Sequence, residues 1–404
     1  MSRLKFGRLV GRFFIVAPAG GCPFTPRVPD ESSWNSVAWM TARGEAQELL
    51  HAQAAGRAAD RFGRRVFLRA VLEVSNYCRE NCAYCGMRRD NAALSRYRGQ
   101  HDQLAELVIH HRPGTVTDVN IQTGEDPVAV RELVLPLIKT LRRETQLGVS
   151  VCLGTLSRAL YAELQEAGAS IYIMKFEMAN PELYQRAQAP GHWEERIEHI
   201  HLLAELGWHV SSGFIAGLPG HTTDQLLENF ELACRLPLAG CSVSPFIPGE
   251  STPLAEAATA DIEQTLNCMA MLRLMRPGWI IPAVSALNLA GPENGYRRGL
   301  GTGANLVTIN LTPPELRGDY LLYKRDRFIM TEERILSAIQ AEGLVPSRQS
   351  LADHYRSRVQ ASRSAGAVSS LGGTGRGAVA GADLCRGAAT GRQARQPSRN
   401  SSHK

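Results

Sequence analysis

Three of the nine cysteines in this 404-residue chain fall within eight positions, in the stretch SNYCRENCAYCGMRRDN from Ser75 to Asn91. Thiolates at Cys78, Cys82 and Cys85 are soft ligands suited to zinc or to iron-sulfur clusters. A structural zinc site takes four protein ligands, commonly from two C-x2-4-C pairs, and this loop holds no fourth Cys or His. His110 and His111, the nearest downstream, end a helical pattern that leads into the second expected strand. Thiol redox chemistry asks for a pair of cysteines rather than a triplet. A 4Fe-4S cube has four irons and normally four thiolates. Three cysteines leave one iron open to a small chelating ligand, as the open position does in catalytic metal sites. Tyr84, just before the third cysteine, is placed to shield such a cluster from solvent.

The elements that must position this loop are legible as an alternation. Eight short segments read as strands: 67–75, 115–123, 148–154, 170–177, 208–217, 239–246, 279–286 and 305–312. Helical patterns lie between them. Asp126-Pro127 and Asn180-Pro181 are N-caps followed by Pro at the first helical position, and Thr222 with Gln225 forms a capping box. Eight strands alternating with helices over this length predict an α/β (β/α)8 TIM-type barrel across 67–345, with a doubly wound open sheet as the rival. Barrel chemistry sits at the C-terminal ends of the strands. There stand the cysteine loop, GEDP, FEMANP, GLPGHT, FIPGESTP and NLTPPE. Residues 36–66 read as helices preceding the barrel, and 1–35 as an irregular extension.

An apolar fraction of 44% with 21% charged residues is that of a globular protein. The net charge of +6 belongs to the C-terminal end, because residues 346–404 carry ten Lys and Arg against two Asp. That stretch is rich in Gly, Ser, Ala and Arg. It reads as a disordered, solvated basic tail rather than a nucleic-acid surface. No apolar run reaches the roughly 18 residues of a membrane span, and the segment near FFIVAPAGG is too short for a good signal peptide, so a cytoplasmic protein is expected. The other six cysteines, Cys22, Cys152, Cys234, Cys241, Cys268 and Cys385, have no ligand-like spacing, and Cys152, Cys241 and Cys268 read as small buried hydrophobes.

With C-x3-C-x-aromatic-C following the first strand, the chain resembles the radical S-adenosylmethionine (SAM) superfamily. The resemblance implies one 4Fe-4S cluster on Cys78, Cys82 and Cys85. SAM chelates the open iron there, and one electron cleaves it to methionine and a 5'-deoxyadenosyl radical. It also implies a small-molecule substrate and an electron donor such as ferredoxin or flavodoxin. IQTGEDP is similar to the family's Gly-Gly-Glu element, with Thr123 in place of the first glycine. Gly124 would then permit close backbone approach and Glu125 would bind the SAM ammonium; from the residues alone, Glu125 reads equally well as a carboxylate assisting the next helix. By the same resemblance Glu177 would bond the SAM ribose, Arg196 would meet the SAM carboxylate, and the backbone near Ile215 in GFIAGLPG would line the nucleoside. Without it, Arg196 reads as an exposed helix arginine paired with a neighbouring acid, and Arg88 and Arg89 as a solvated helical face.

Across about residues 40–345 the chain is similar to the group of biotin synthase, methylornithine synthase and the iron-iron hydrogenase maturase HydE. The cysteine loop, QTGEDP and PFIP followed by TPL favour the maturase type, which implies metallocofactor maturation and maturation partner proteins. Biotin synthase chemistry needs a second cluster held by three cysteines and an arginine. Here only Cys152 stands at such a place; the others offer Asn120 or Gln122, and Ser211 and Ser212, with no arginine on the seventh strand. A substrate below SAM would be lined by Gln122, Ser212, Ser285 and Asn310. Lys175, Phe176, Glu177, Met178 and Ala179 depart from the maturase pattern at the fourth strand. The alternatives are a methylornithine synthase-like or biotin synthase-like radical transformation of a small metabolite, and a non-catalytic accessory protein binding zinc or a cluster.

Overall fold

A computed structural model describes residues 36–358, except 292–293 and 326–327. The chain divides into two units, Met1–Tyr355 and Arg356–Lys404; of the second only the first three residues are described, in helical conformation. The expected N-terminal extension, and the expected tail beyond 358, lie outside the described residues.

Seven parallel strands form one curled sheet in the order β6-β5-β4-β3-β2-β1-β7. They are β1 (Arg65–Ser75), β2 (Asp118–Thr123), β3 (Gly148–Cys152), β4 (Ile171–Ile173), β5 (His209–Ala216), β6 (Gly240–Pro245) and β7 (Leu306–Asn310). A short β8 (Val345–Pro346) pairs with the start of β1. The expected strand at 279–286 does not form. In its place Ile280 and Pro282 make isolated bridges to Gly240 of β6 and Leu306 of β7, joining the two edges. Pro282 has no N–H to give a ladder, so the neighbours carry the link: Ile280 N–H donates to the Ala239 carbonyl at 3.2 Å and Ala283 N–H to that of Leu306 at 2.8 Å. The result is the TIM-type (β/α) barrel form, irregular at its seventh position.

The helices start where their caps predict. Asp126 accepts the Ala129 N–H, Asn180 the Leu183 N–H, and Thr222 with Gln225 closes a reciprocal capping box. Residues 127–144 are one helical run containing a π segment, Val130–Val134. Pro136 explains it, since its missing N–H breaks the regular i→i−4 pattern. Ahead of the barrel, helix Glu45–Phe62 buries Leu50, Ala54, Ala58 and Phe62, which share one helical face. That face packs on Ile262–Met275, whose side chains from Thr265 to Leu274 are all buried.

Residues 346–355, expected as the start of the tail, fold onto the base of the barrel. Ser347 N–H donates to the Val66 carbonyl at 2.7 Å. Asp118 at the start of β2 accepts the Leu351 N–H, and the Tyr355 ring stacks on His209 with centroids 4.5 Å apart. Leu351 and Tyr355 are buried with Phe62 and Phe67. Two large apolar residues are enough to anchor a segment whose average composition reads as solvated.

Candidate active site

The loop after β1 is held by polar clamps. Asn76 donates to the carbonyls of Ser95 and Asp319, both at 2.7 Å, and accepts the Tyr97 N–H. The Arg96 guanidinium gathers the carbonyls of Asn76, Met87 and Arg88. Satisfying loop carbonyls in this way fixes backbone that has no ladder of its own. The clamped loop turns Cys78, Cys82 and Cys85 toward one opening. Burial pushes all three thiols up, Cys82 well above the usual range and Cys85 to about 12, and each feels its neighbours' charge. Loading a metal centre here must therefore expel protons.

Glu125 N–H donates to Cys78 Sγ at 3.3 Å, tying the β2 loop to the cysteine loop. Gly124 makes this approach possible: a Cβ there would lie 2.2 Å from the Tyr77 carbonyl oxygen and 2.8 Å from Cys78 Cβ. Across the opening, Gly154 stands at φ +74°, and a Cβ on it would lie 2.2 Å from the Glu125 carboxylate.

Cys78, Cys82, Tyr84, Cys85, Gly124, Glu125, Glu177, Arg196 and Ile215 all line one open cavity of about 1110 Å³ at the C-terminal ends of the strands. Its remaining walls include Met87, Met174, Phe246 and Tyr320. Arg196 is not an exposed helix arginine. Its Nη1 lies 3.0 Å from Glu125 Oε1, and its Nε donates to the Lys175 carbonyl at 3.0 Å. Burial pulls this guanidinium down, but Glu125, Tyr184 and Glu177 outweigh it and hold the group above its ordinary value. The other carboxylate oxygen of Glu125 accepts from Arg79 Nη2 at 3.0 Å. Sequence reasoning passed over Arg79; the available signal was a cation inside the cysteine loop itself. Glu177 sits at φ 61°, a conformation costing a non-glycine residue on the order of 1 kcal/mol. β5 fixes it from both sides, because Glu177 N–H donates to the Gly213 carbonyl at 3.1 Å and Ile215 N–H to the Glu177 carbonyl at 2.9 Å. Ile215 thus offers the cavity its side chain, with its N–H already committed.

A family model described as the radical SAM superfamily matches residues 72–233. The [FeFe] hydrogenase maturase subunit HydE of Thermotoga maritima is 34% identical over 264 residues, 65% of this chain and 74% of that protein. The chain belongs to the radical SAM superfamily. The 3-methylornithine synthase of Methanosarcina barkeri is 27% identical over 312 residues, 76% of this chain and 87% of that one. A crystal structure of methylornithine synthase (PylB) superposes with a TM-score of 0.69 at 23% identity, over 79% of this chain and 94% of that one, a likeness of fold.

Membership implies a 4Fe-4S cluster and SAM, and the residues present suit them. Among the described residues no three His, Cys, Asp or Glu side chains converge on a single ion. Tyr84 Oη is buried on the cavity wall without a hydrogen-bond partner.

Deeper in the barrel of this radical SAM enzyme lies a second cavity of about 1280 Å³. Gln122, Ser285 and Asn310 line it as expected. Ser212 does not; it is fully buried in the wall, where its Oγ accepts the Phe176 N–H at 3.2 Å. Its neighbour Ser211 faces the cavity instead, the one-residue alternation of a strand. Arg69, Glu73, Cys152 and Lys175 also line it. Arg69 and Glu73 were visible as charges inside an otherwise apolar strand, a position where burial on both faces normally excludes them. Arg88 and Arg89 line neither cavity; Arg88 donates to Asn81 and Arg89 pairs with Asp90.

Proposed function

We propose that this protein reductively cleaves SAM at a 4Fe-4S cluster held by Cys78, Cys82 and Cys85, and directs the resulting radical at a small molecule in the inner cavity. The observation that carries this reading is the meeting of all nine expected residues on one cavity directly above a second, more polar one. When bound, the cluster supplies the electron that opens the sulfonium, and the chain's own groups bind and orient. Glu125, already bonded to Arg196 and Arg79, keeps acceptor capacity for an ammonium because a carboxylate has about four lone-pair sites. Arg196 offers charge-assisted hydrogen bonds to a carboxylate, Glu177 accepts from ribose hydroxyls, and Ile215 and Phe246 cover the base. Similarity to HydE supports a role in hydrogenase-type metallocofactor maturation, with maturation partner proteins and a ferredoxin- or flavodoxin-like donor, in the cytoplasm.

A second reading is a methylornithine synthase-like rearrangement of an amino acid. What favours it is the inner lining, where Glu73 stands with Arg69 and Lys175, charges that suit a zwitterion. The test begins with anaerobically reconstituted, reduced protein and SAM. Release of 5'-deoxyadenosine is expected, and its absence from protein with an intact cluster would leave a non-catalytic accessory protein. Deuterium transfer into 5'-deoxyadenosine from labelled candidate molecules then separates the two substrate classes.

A further inference from the structure

Each cavity carries one buried donor with no partner. In the outer one it is Tyr84 Oη, near enough to bias the Cys82 thiol but outside hydrogen-bonding geometry; in the inner one it is Arg69 Nε. A buried donor left unpaired costs about 1–3 kcal/mol, so each points to a ligand in its own chamber. Between the two chambers stands a thiol. Cys152 ends β3 opposite Gln122 in the ladder, and its side chain lines both cavities. Cys78, Cys82 and Cys85 line the outer one alone.

We propose that Cys152 is a hydrogen-atom donor, giving its S–H hydrogen to a carbon radical held in either chamber. The proposal rests on the radical SAM reading above. An S–H bond is weaker than the C–H bond that a primary alkyl radical forms, so transfer runs toward the carbon, whereas a serine O–H bond is stronger than that C–H bond; the phenol O–H of Tyr84 is about as weak as S–H but lines the outer chamber alone. The balance is simple: R• and Cys152–SH give R–H and a Cys152 thiyl radical. One electron from the one-electron reductant that drives SAM cleavage, with one proton from solvent, then restores the thiol. Burial raises the Cys152 pKa, against the opposing charges of Lys175 and Arg196, which keeps the hydrogen on sulfur. Among the described residues no further cysteine joins Cys152 in the inner lining.

The experiment needs no substrate. Reconstituted enzyme, SAM and reductant are incubated in D2O, where a thiol exchanges its hydrogen and C–H groups do not, and 5'-deoxyadenosine is analysed by mass spectrometry. Wild type is expected to give singly deuterated 5'-deoxyadenosine, and Cys152→Ala to lose the label while still cleaving SAM. Cys152→Ser, close in volume, should behave like the alanine variant and serves if alanine does not fold. Unlabelled product from wild type, or label retained in both variants, overturns the proposal. No 5'-deoxyadenosine from wild type removes the radical reading itself and this one with it. A second readout uses the cluster-free chain: methyl methanethiosulfonate should modify Cys152, and saturating 5'-deoxyadenosine should suppress that modification. Modification unaffected by the nucleoside contradicts a thiol facing its chamber.

Discussion

Glu125 Oε1 and Arg196 Nη1 stand 3.0 Å apart with side chains only 8% and 6% exposed, so a carboxylate from the β2 loop and a guanidinium from helix Trp193–Glu205 meet as a buried ion pair. Removing one partner of such a pair leaves an uncompensated charge and costs about 3–5 kcal/mol. Arg79, at half exposure, still faces Glu125, which places Arg196→Met at about 3 kcal/mol, near the lower end of that range. Denaturant unfolding of the cluster-free chain checks this. The double variant Glu125→Gln with Arg196→Met should lose less than the sum of the single losses; strict additivity would mean that the two groups do not interact.

Gly124 is the point where two loops touch, with the Tyr77 carbonyl 2.2 Å from where a Cβ would be. Gly124→Ala must move one loop off the other and break the Glu125 N–H···Sγ contact to Cys78. Iron and sulfide content after anaerobic reconstitution should fall well below that of wild type, while the circular dichroism of the barrel stays the same. Full iron loading in the variant would show that the contact does not position Cys78.

How much of this was open to reading depended on how local each feature is. The cysteine triplet, the three caps and seven of the strands are written in adjacent residues, and the nine expected residues line one cavity because barrel strands deliver their C-terminal ends to one rim. The seventh position reads as a strand because IIPAVSA has a strand's apolar content, yet Pro282 removes a donor the ladder needs. Ser211 rather than Ser212 faces the inner cavity, because which face a strand shows inward depends on register, which no single segment fixes. Arg79 and Arg196 found their carboxylate through contacts 46 and 71 residues away in sequence, and spacing within a motif does not reveal those. The docking of 346–355 was hidden by the Arg- and Ser-rich sequence around Leu351 and Tyr355.

The cysteines divide by surroundings. Cys82 lies on one cavity with Cys78 and Cys85, whereas Cys241 and Cys268 are fully buried among apolar side chains. Cys82→Ala should abolish both iron binding and SAM cleavage. Cys268→Ala should keep full iron content and lose about 1 kcal/mol of stability for the small volume removed. Iron retained by the Cys82 variant, read by metal analysis, would mean that the loop has been assigned the wrong task.

Asp118 gives the fold a pH dependence with a definite sign. Burial raises its pKa from 3.8 to about 6, although the Leu351 and Ala352 N–H groups, the Thr117 hydroxyl and Arg69 all favour the ionised form. The folded value lies above the unfolded one, so the protonated carboxyl is the form that folding favours. That contribution is complete below the unfolded pKa and is lost as pH rises through about 6. Between pH 7 and pH 5 it should add about 1 kcal/mol. His51, His199 and His221, whose burial lowers their pKa values, act in the opposite sense over the same range and mask it in wild type. The difference between wild type and Asp118→Asn isolates it, since the carboxamide keeps an acceptor for the Leu351 N–H and does not titrate. Wild-type stability relative to the variant should rise as pH falls from about 7 to 5, by chemical denaturation at each pH. A difference that stays flat would show that the carboxyl is ionised throughout, and that its two backbone donors outweigh the cost of burying the charge.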